Sequence, residues 1–226
     1  MSILHPRLQV TGSEQLQRIH NRNPLPLLRW AGSKRKLLSH LERAAPQRFR
    51  RYIEPFFGSG CLFFRLQPKA SIISDLNRDV VGFYDAIRKQ PVDVLEYAKV
   101  FLPTRESYYW VRKSFLQEQD PFRRAAKFFF LNRYCFNGIY RTNKKGEFNV
   151  PFGTKTGDLP NLPTVMKSAA LLKRAKLLSG DFERAVSLAK TDDFVYLDPP
   201  YVYKTRKDRG EYGLGSVTGC DLSRLT

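Results

Sequence analysis

The residues with the most specific chemistry in this sequence are Asp198-Pro199-Pro200-Tyr201. Each proline fixes φ and lacks an N–H, so a strand cannot continue through the pair, and the residue before a proline is held in an extended conformation. A carboxylate, two fixed carbonyls and an aromatic ring therefore share one stiff loop. That set suits a flat ligand bearing an amino group: Asp198 and the Pro199 carbonyl accept the two amine hydrogens, and Tyr201 stacks on the ligand's face. An Asp-Pro turn alone carries no such meaning. What distinguishes this one is the apolar run Phe194-Val195-Tyr196-Leu197 just before it, which predicts a short buried strand. In an open α/β sheet, ligands bind beyond the carboxyl ends of the strands.

Two further stretches have matching chemistry. Tyr52-Ile53-Glu54 reads as a strand, Pro55-Phe56-Phe57-Gly58-Ser59-Gly60 as a tight turn and Cys61–Leu66 as a helix. Gly58 and Gly60 would let backbone approach a ligand without a Cβ in the way. Ala70–Asp75 reads as the next strand, with Asp75 where an acidic residue usually holds ribose hydroxyls, and Asn77 caps the helix after it. Upstream, Gly32 and Ser33 can open a helix to about Ala45 with Ser33 as its cap, and a helix N-terminus beside Lys34 makes an anion site. Taken singly, each stretch also fits an ordinary turn or a capped basic helix.

These groups require a sheet with helical crossovers. Leu162–Leu172 predicts a helix, Arg174–Leu178 a strand leading to Ser179-Gly180-Asp181-Phe182, and Phe182–Leu188 a short helix before the Phe194 strand. The expected fold class is α/β, a Rossmann-like sheet formed by residues 27–91 and 161–226, with a loose extension over 1–26. Between the two parts, residues 92–160 change character. Helices are predicted at Val92–Phe101, Ser107–Gln117 and Pro121–Arg133. Tyr134 to Arg141 then interleaves aromatic and polar residues, and Thr142–Glu147 reads as a β-hairpin turn with Lys144 and Lys145 at its tip. Aromatic rings among Arg, Lys and Asn suit base stacking and phosphate contact.

Composition agrees with a polyanionic partner. Thirty-nine Lys and Arg against 21 Asp and Glu give a net charge of +18, and folding gains nothing from that self-repulsion. A hydrophobic content of 42% suffices for a packed core. Cys61, Cys135 and Cys220 have neither metal-ligand spacing nor a disulfide framework. Neither a long apolar run nor a signal-peptide pattern is present, so the expectation is a cytoplasmic protein of bacterial or phage type, monomeric, without metal or membrane.

Taken together, the motifs resemble the Dam-type DNA adenine-N6 methyltransferases of the D12 class. The resemblance rests on Trp30-Ala31-Gly32-Ser33-Lys34, Glu54–Gly60, Asp75-Leu76-Asn77, Asn132–Gly138, Arg141, Gly146–Gly153 and Asp198–Tyr201, all in one order. It implies S-adenosyl-L-methionine as cofactor, held by Trp30, Lys34, Asp75, Asp181, Phe182 and Asp198. The turn carrying Phe57, Gly58 and Gly60 would lie beneath the methionine portion, and Phe182 would pack on the cofactor's adenine. It further implies double-stranded DNA as substrate, probed at GATC, with a flipped adenine held by Asp198, Pro199 and Tyr201 and methylated without metal or covalent intermediate. Residues 92–160 would be the target-recognition domain. Phe136 would enter the base stack, flanked by Asn137 and Ile139; Arg141 would contact a guanine and Pro151 the DNA. Where relatives that read GATC have a second arginine, this chain departs from the pattern with Thr154, followed by Lys155, which is counted among the DNA-binding residues. Family members continue beyond the Tyr212–Leu225 region, so the resemblance also implies that the C-terminal part of the sheet is missing. Two other readings fit part of the pattern: a non-catalytic DNA-binding remnant of such an enzyme, and an amino-methyltransferase acting on cytosine-N4, RNA or a glutamine side chain.

Overall fold

A computed structural model describes residues 26–154 and 156–199. Lys155, Tyr201, nearly all of the expected N-terminal extension and the question of how the sheet is completed lie outside the described residues. The strands are β1 (Tyr52–Glu54), β2 (Ser71–Asp75), β3 (Ala175–Ser179) and β4 (Phe194–Val195). They form one parallel sheet in the order β3-β2-β1-β4. Parallel neighbours need crossovers. Helix α2 (Cys61–Leu66) links β1 to β2, and the short α8 (Glu183–Val186) lies between β3 and β4. The crossover from β2 to β3 contains α3 (Arg78–Lys89), α4 (Pro91–Val100), α5 (Arg105–Phe115), α6 (Pro121–Tyr134) and α7 (Leu162–Leu172).

Alternation along the strands sends side chains to two cores. Tyr52, Ile73 and Ala175 join the large core beneath α2, α3 and α7. Ile53, Ile72 and Leu178 face the other way, onto Ala185 of α8. Helix α6 packs against α3, α4 and α5, which explains its continuous burial from Ala125 to Asn132. A helix covered on several sides has no solvent face to keep polar. The helices of the expected recognition segment thus share one core with α3 and α7.

Side-chain caps set the N-termini of four helices. Asn77 accepts from the N–H groups of Asp79 and Val80, Asp120 from that of Arg123, and Asn161 from that of Thr164. Thr104 accepts from Ser107 N, so α5 begins at Arg105, two residues before the sequence expectation. Two expectations need larger correction. Ser33 caps no helix: Gly32 has φ of 78° and a 3₁₀ turn over Arg35–Leu37 precedes α1 (Leu38–Ala44). The Phe194 strand is two residues long and half-buried, because among the described residues β1 is its sole neighbour. The expected hairpin is present as a turn closed by isolated antiparallel bridges, Cys135 with Phe152 and Thr142 with Phe148. Among the described residues, no helix is long and apolar enough to cross a membrane.

Candidate functional site

A cleft opens at the carboxyl ends of β1, β2 and β4. It encloses about 810 Å³ of empty space, counting its open mouth. Trp30, Lys34, Gly58, Asp75, Asp198 and Pro199 all line it. The sequence-predicted groups from four separate stretches therefore meet.

The glycine turn fits tightly against its surroundings. Gly58 and Gly60 have φ of 46° and 61°, a region that costs residues with a Cβ about 1–2 kcal/mol. A Cβ at Gly58 would lie 2.6 Å from the Trp30 ring, and one at Gly60 would lie 2.4 Å from Phe57. Ring packing inside the protein thus requires both glycines, which also line the cleft. Phe57 is buried and meets Tyr84 edge-on at 4.8 Å.

Asp75 ends β2. Its two carboxylate oxygens accept from the N–H groups of Gly58 and Asn77, each at 2.8 Å. A carboxylate has about four lone-pair sites, so it can still accept from a ligand. Burial pushes its carboxyl up to about 6, against the pull of the two N–H groups. Glu54 ends β1 and also lines the cleft. It is 3% exposed and accepts from the Tyr52 hydroxyl at 2.9 Å. Burial holds its carboxyl well above the usual range; Tyr52 opposes this, while the charges of Asp198 and Asp75 add to it.

Lys34 pairs with Asp198. Its ammonium donates to both oxygens of Asp198, at 2.6 and 2.7 Å, and to the Gly32 carbonyl at 2.9 Å. These bonds match the three donors of an ammonium. Ser33, freed from capping, lies with its Oγ 3.0 Å from Cys61 Sγ on the cleft floor.

Two expected residues stand apart from the cleft lining. Asp181 is exposed, with Oδ1 accepting from Glu183 N. Phe182 is buried, with its ring centroid 5.4 Å from that of Phe56. Phe56 lines the cleft, and the buried Phe182 ring packs against it. Sequence reasoning missed Glu54, Phe56 and Tyr196 as lining residues. Glu54 had an available signal, since like Asp75 it is the acidic last residue of a strand before a turn.

The hairpin segment carries the expected nucleic-acid groups. Phe136 is 49% exposed, raised on a 3₁₀ turn in which Asn137 and Gly138 both have positive φ. Asn137, Lys144, Lys145 and Pro151 are exposed, and Ile139 is half-buried. Arg141 donates through Nε to Asn149 Oδ1 at 2.8 Å, which holds its guanidinium. Asn143 shapes the tip, accepting from the N–H groups of Lys145 and Glu147. The first stretch is tied to the same unit: Asn132 of α6 accepts from Arg29 N at 2.8 Å and donates to Arg29 O at 2.7 Å. Among the described residues, no cluster of three or more His, Cys, Asp or Glu is arranged to hold a metal ion.

Comparison with known proteins gives a consistent result. The family model of the D12 class N6 adenine-specific DNA methyltransferases matches residues 30–214. The chain is 41% identical over 201 residues to the type II methyltransferase M.MjaIII of Methanocaldococcus jannaschii, covering 78% of this chain and 68% of that protein. It is 33% identical over 189 residues to the type II methyltransferase M1.LlaDCHI of Lactococcus lactis, covering 80% and 66%. Against the DNA adenine methylase of Escherichia coli K12 the identity is 38% over 184 residues, covering 77% and 64%. The chain thus spans about two thirds of the length of these relatives.

Proposed function

Since this chain belongs to the D12 class N6 adenine-specific DNA methyltransferases, we propose that it transfers a methyl group from S-adenosyl-L-methionine to N6 of a flipped adenine in duplex DNA, within GATC. One observation carries the reading: Asp198-Pro199, the glycine turn and Asp75, distant in sequence, line a single cleft.

The donor set fits such a cofactor. Three carboxyl groups, from Glu54, Asp75 and Asp198, line the cleft together with Lys34, whose ammonium bonds Asp198. A ligand with a sulfonium, an ammonium, a carboxylate and ribose hydroxyls offers each a partner. The remaining lone pairs of Asp75 take the ribose hydroxyls, while Trp30, Phe56 and Phe57 supply apolar wall. Lys34 takes the methionine carboxylate by giving up part of its grip on Asp198. When bound, the cofactor supplies an electrophilic methyl group.

Asp198 and the Pro199 carbonyl then accept the two hydrogens of the adenine amine, turning its lone pair toward that methyl; Tyr201 stacks on the base. Flipping the base costs a few kcal/mol of stacking and pairing. The residues act mainly by positioning and by favouring charge that develops in the reaction. Residues 92–160 act as the recognition domain: Phe136 enters the vacated stack, Arg141 reads a guanine, and Lys144, Lys145, Pro151 and Lys155 contact the duplex.

The test is nucleoside mass spectrometry of duplex DNA incubated with the protein and methyl-labelled S-adenosyl-L-methionine. N6-methyladenine confined to GATC duplexes is the expected product. Label on cytosine, or on adenine irrespective of sequence, overturns the corresponding half of the proposal.

A further inference from the structure

Tyr140 is 6% exposed and joins the recognition segment to the cleft. Its ring stacks on Trp30, with centroids 5.7 Å apart and planes 29° from parallel. Trp30 is the ring that presses on Gly58 and forms part of the cleft wall. The Tyr140 hydroxyl donates to Asp79 Oδ2 at 2.8 Å. The other Asp79 oxygen is held by Arg124 of α6, through Nε at 2.9 Å and Nη2 at 2.8 Å. Asp79 lies in the first turn of α3, just after the Asn77 whose N–H holds Asp75. Phe128 and Phe148 pack against other edges of the same tyrosine ring. Tyr140 is thereby fixed at its hydroxyl and its edges, leaving one face for Trp30.

We propose that Tyr140 is a positioning residue for the cofactor: it fixes the plane of Trp30, so that a residue of the expected DNA-reading segment completes the cofactor wall. Its chain neighbours are Ile139 and Arg141, both assigned to the duplex. The inference rests on the methyltransferase reading above. A stacked aromatic pair contributes enough, about 0.5–1.5 kcal/mol, for its loss to weaken a dependent equilibrium roughly two- to tenfold.

The sequence has two tryptophans, and Trp110 is 62% exposed, remote from the cleft lining. In a Trp110→Phe background, Trp30 alone reports by its emission. Tyr140→Leu is expected to shift that emission to the red without any ligand, and to raise the calorimetric Kd for S-adenosyl-L-methionine about two- to tenfold. Tyr140→Phe keeps the ring and should restore both readings to within about twofold of the parent. A Tyr140→Leu protein with parental emission and parental Kd overturns the proposal, whatever its melting temperature, because Tyr140 would then merely brace the hairpin. Should the parent bind no S-adenosyl-L-methionine, the methyltransferase reading fails, and the ligand-free emission still decides whether Tyr140 fixes Trp30.

Discussion

The ammonium of Lys34 bonds both carboxylate oxygens of Asp198, 164 positions away in the sequence. The group expected to hold the target amine and the group expected to hold the cofactor's carboxylate are therefore partners. Lys34→Met should weaken S-adenosyl-L-methionine binding about tenfold or more, the scale of a lost hydrogen bond to a charged group. Asp198→Ala should leave duplex affinity nearly intact and slow single-turnover methylation about 10²–10³-fold, as for other lost preorganised contacts. Calorimetry and rapid-quench kinetics check the two arms; an Asp198→Ala rate near that of the parent removes the residue from the chemistry.

Asp75 gives the cleft a pH response. With its carboxyl raised to about 6, the folded protein keeps a proton there below that pH. A ligand that needs the carboxylate must displace the proton. Cofactor affinity should therefore rise as pH increases toward 6, with a limiting slope of about one logarithmic unit per pH unit, and level off above. Asp75→Asn should bind more weakly at pH 8 and show a flattened slope. Titrations from pH 5 to 8 measure both.

Glu54 makes a stability prediction of definite sign. Its folded-state pKa lies above the unfolded value. The folded protein then binds that proton more tightly, so stability falls as pH rises from the unfolded pKa through the folded one. Glu54→Gln preserves an acceptor for the Tyr52 hydroxyl and carries no charge. The variant should lose part of the parent's decline in melting temperature between pH 5 and pH 8; an unchanged decline would place its origin elsewhere.

The glycines divide into opposite cases. Gly58→Ala forces a Cβ into the Trp30 ring at a positive φ, and should destabilise by about 2 kcal/mol or more. Gly82, exposed in α3, has nothing within 4 Å of a built Cβ. There Gly82→Ala should stabilise by about 0.5–1 kcal/mol, the helical preference for alanine. Urea unfolding of both variants tests the pair.

Reading and gripping should separate in the hairpin. Arg141→Ala removes a guanidinium held by Asn149 and should narrow the gap between GATC and singly altered duplexes by about 1–3 kcal/mol. Replacing the exposed Lys144 and Lys145 together should weaken all duplexes alike and reduce the salt slope by about one unit per lost phosphate contact. If the lysine pair changes site preference and Arg141→Ala does not, the two assignments are reversed.

The strands and helices were legible because their signals are local: short unbroken apolar runs, and caps such as Asn77, Asp120 and Asn161. The Asp198 motif and Asp75 were legible for the same reason, as each sits at the end of a strand. What local pattern could not supply was the partner across the fold. Ser33 has the composition of a cap, yet its hydroxyl meets Cys61. Phe56 and Phe182 are both aromatic, and tertiary packing decides which one faces the cleft. Lys34 reads as an anion site, and the nearest anion is Asp198 of the protein itself. Tyr140 reads as one aromatic among many until Asp79 and Trp30 are seen around it.

The strand order has a consequence for assembly in time. β1 pairs on one side with β2, the next strand to emerge, and on the other with β4, where Tyr52 stands opposite Phe194. Pairings of such sequence separation form late, because a long loop must close before any contact rewards it. On a ribosome the helices from α3 to α7 have already emerged when β4 appears. Until β4 docks, β1 keeps an open edge and Asp198 cannot reach Lys34. The helices from α3 to α7 are thus synthesised before the Lys34–Asp198 contact, and the side of the cleft that Asp198 supplies, can form.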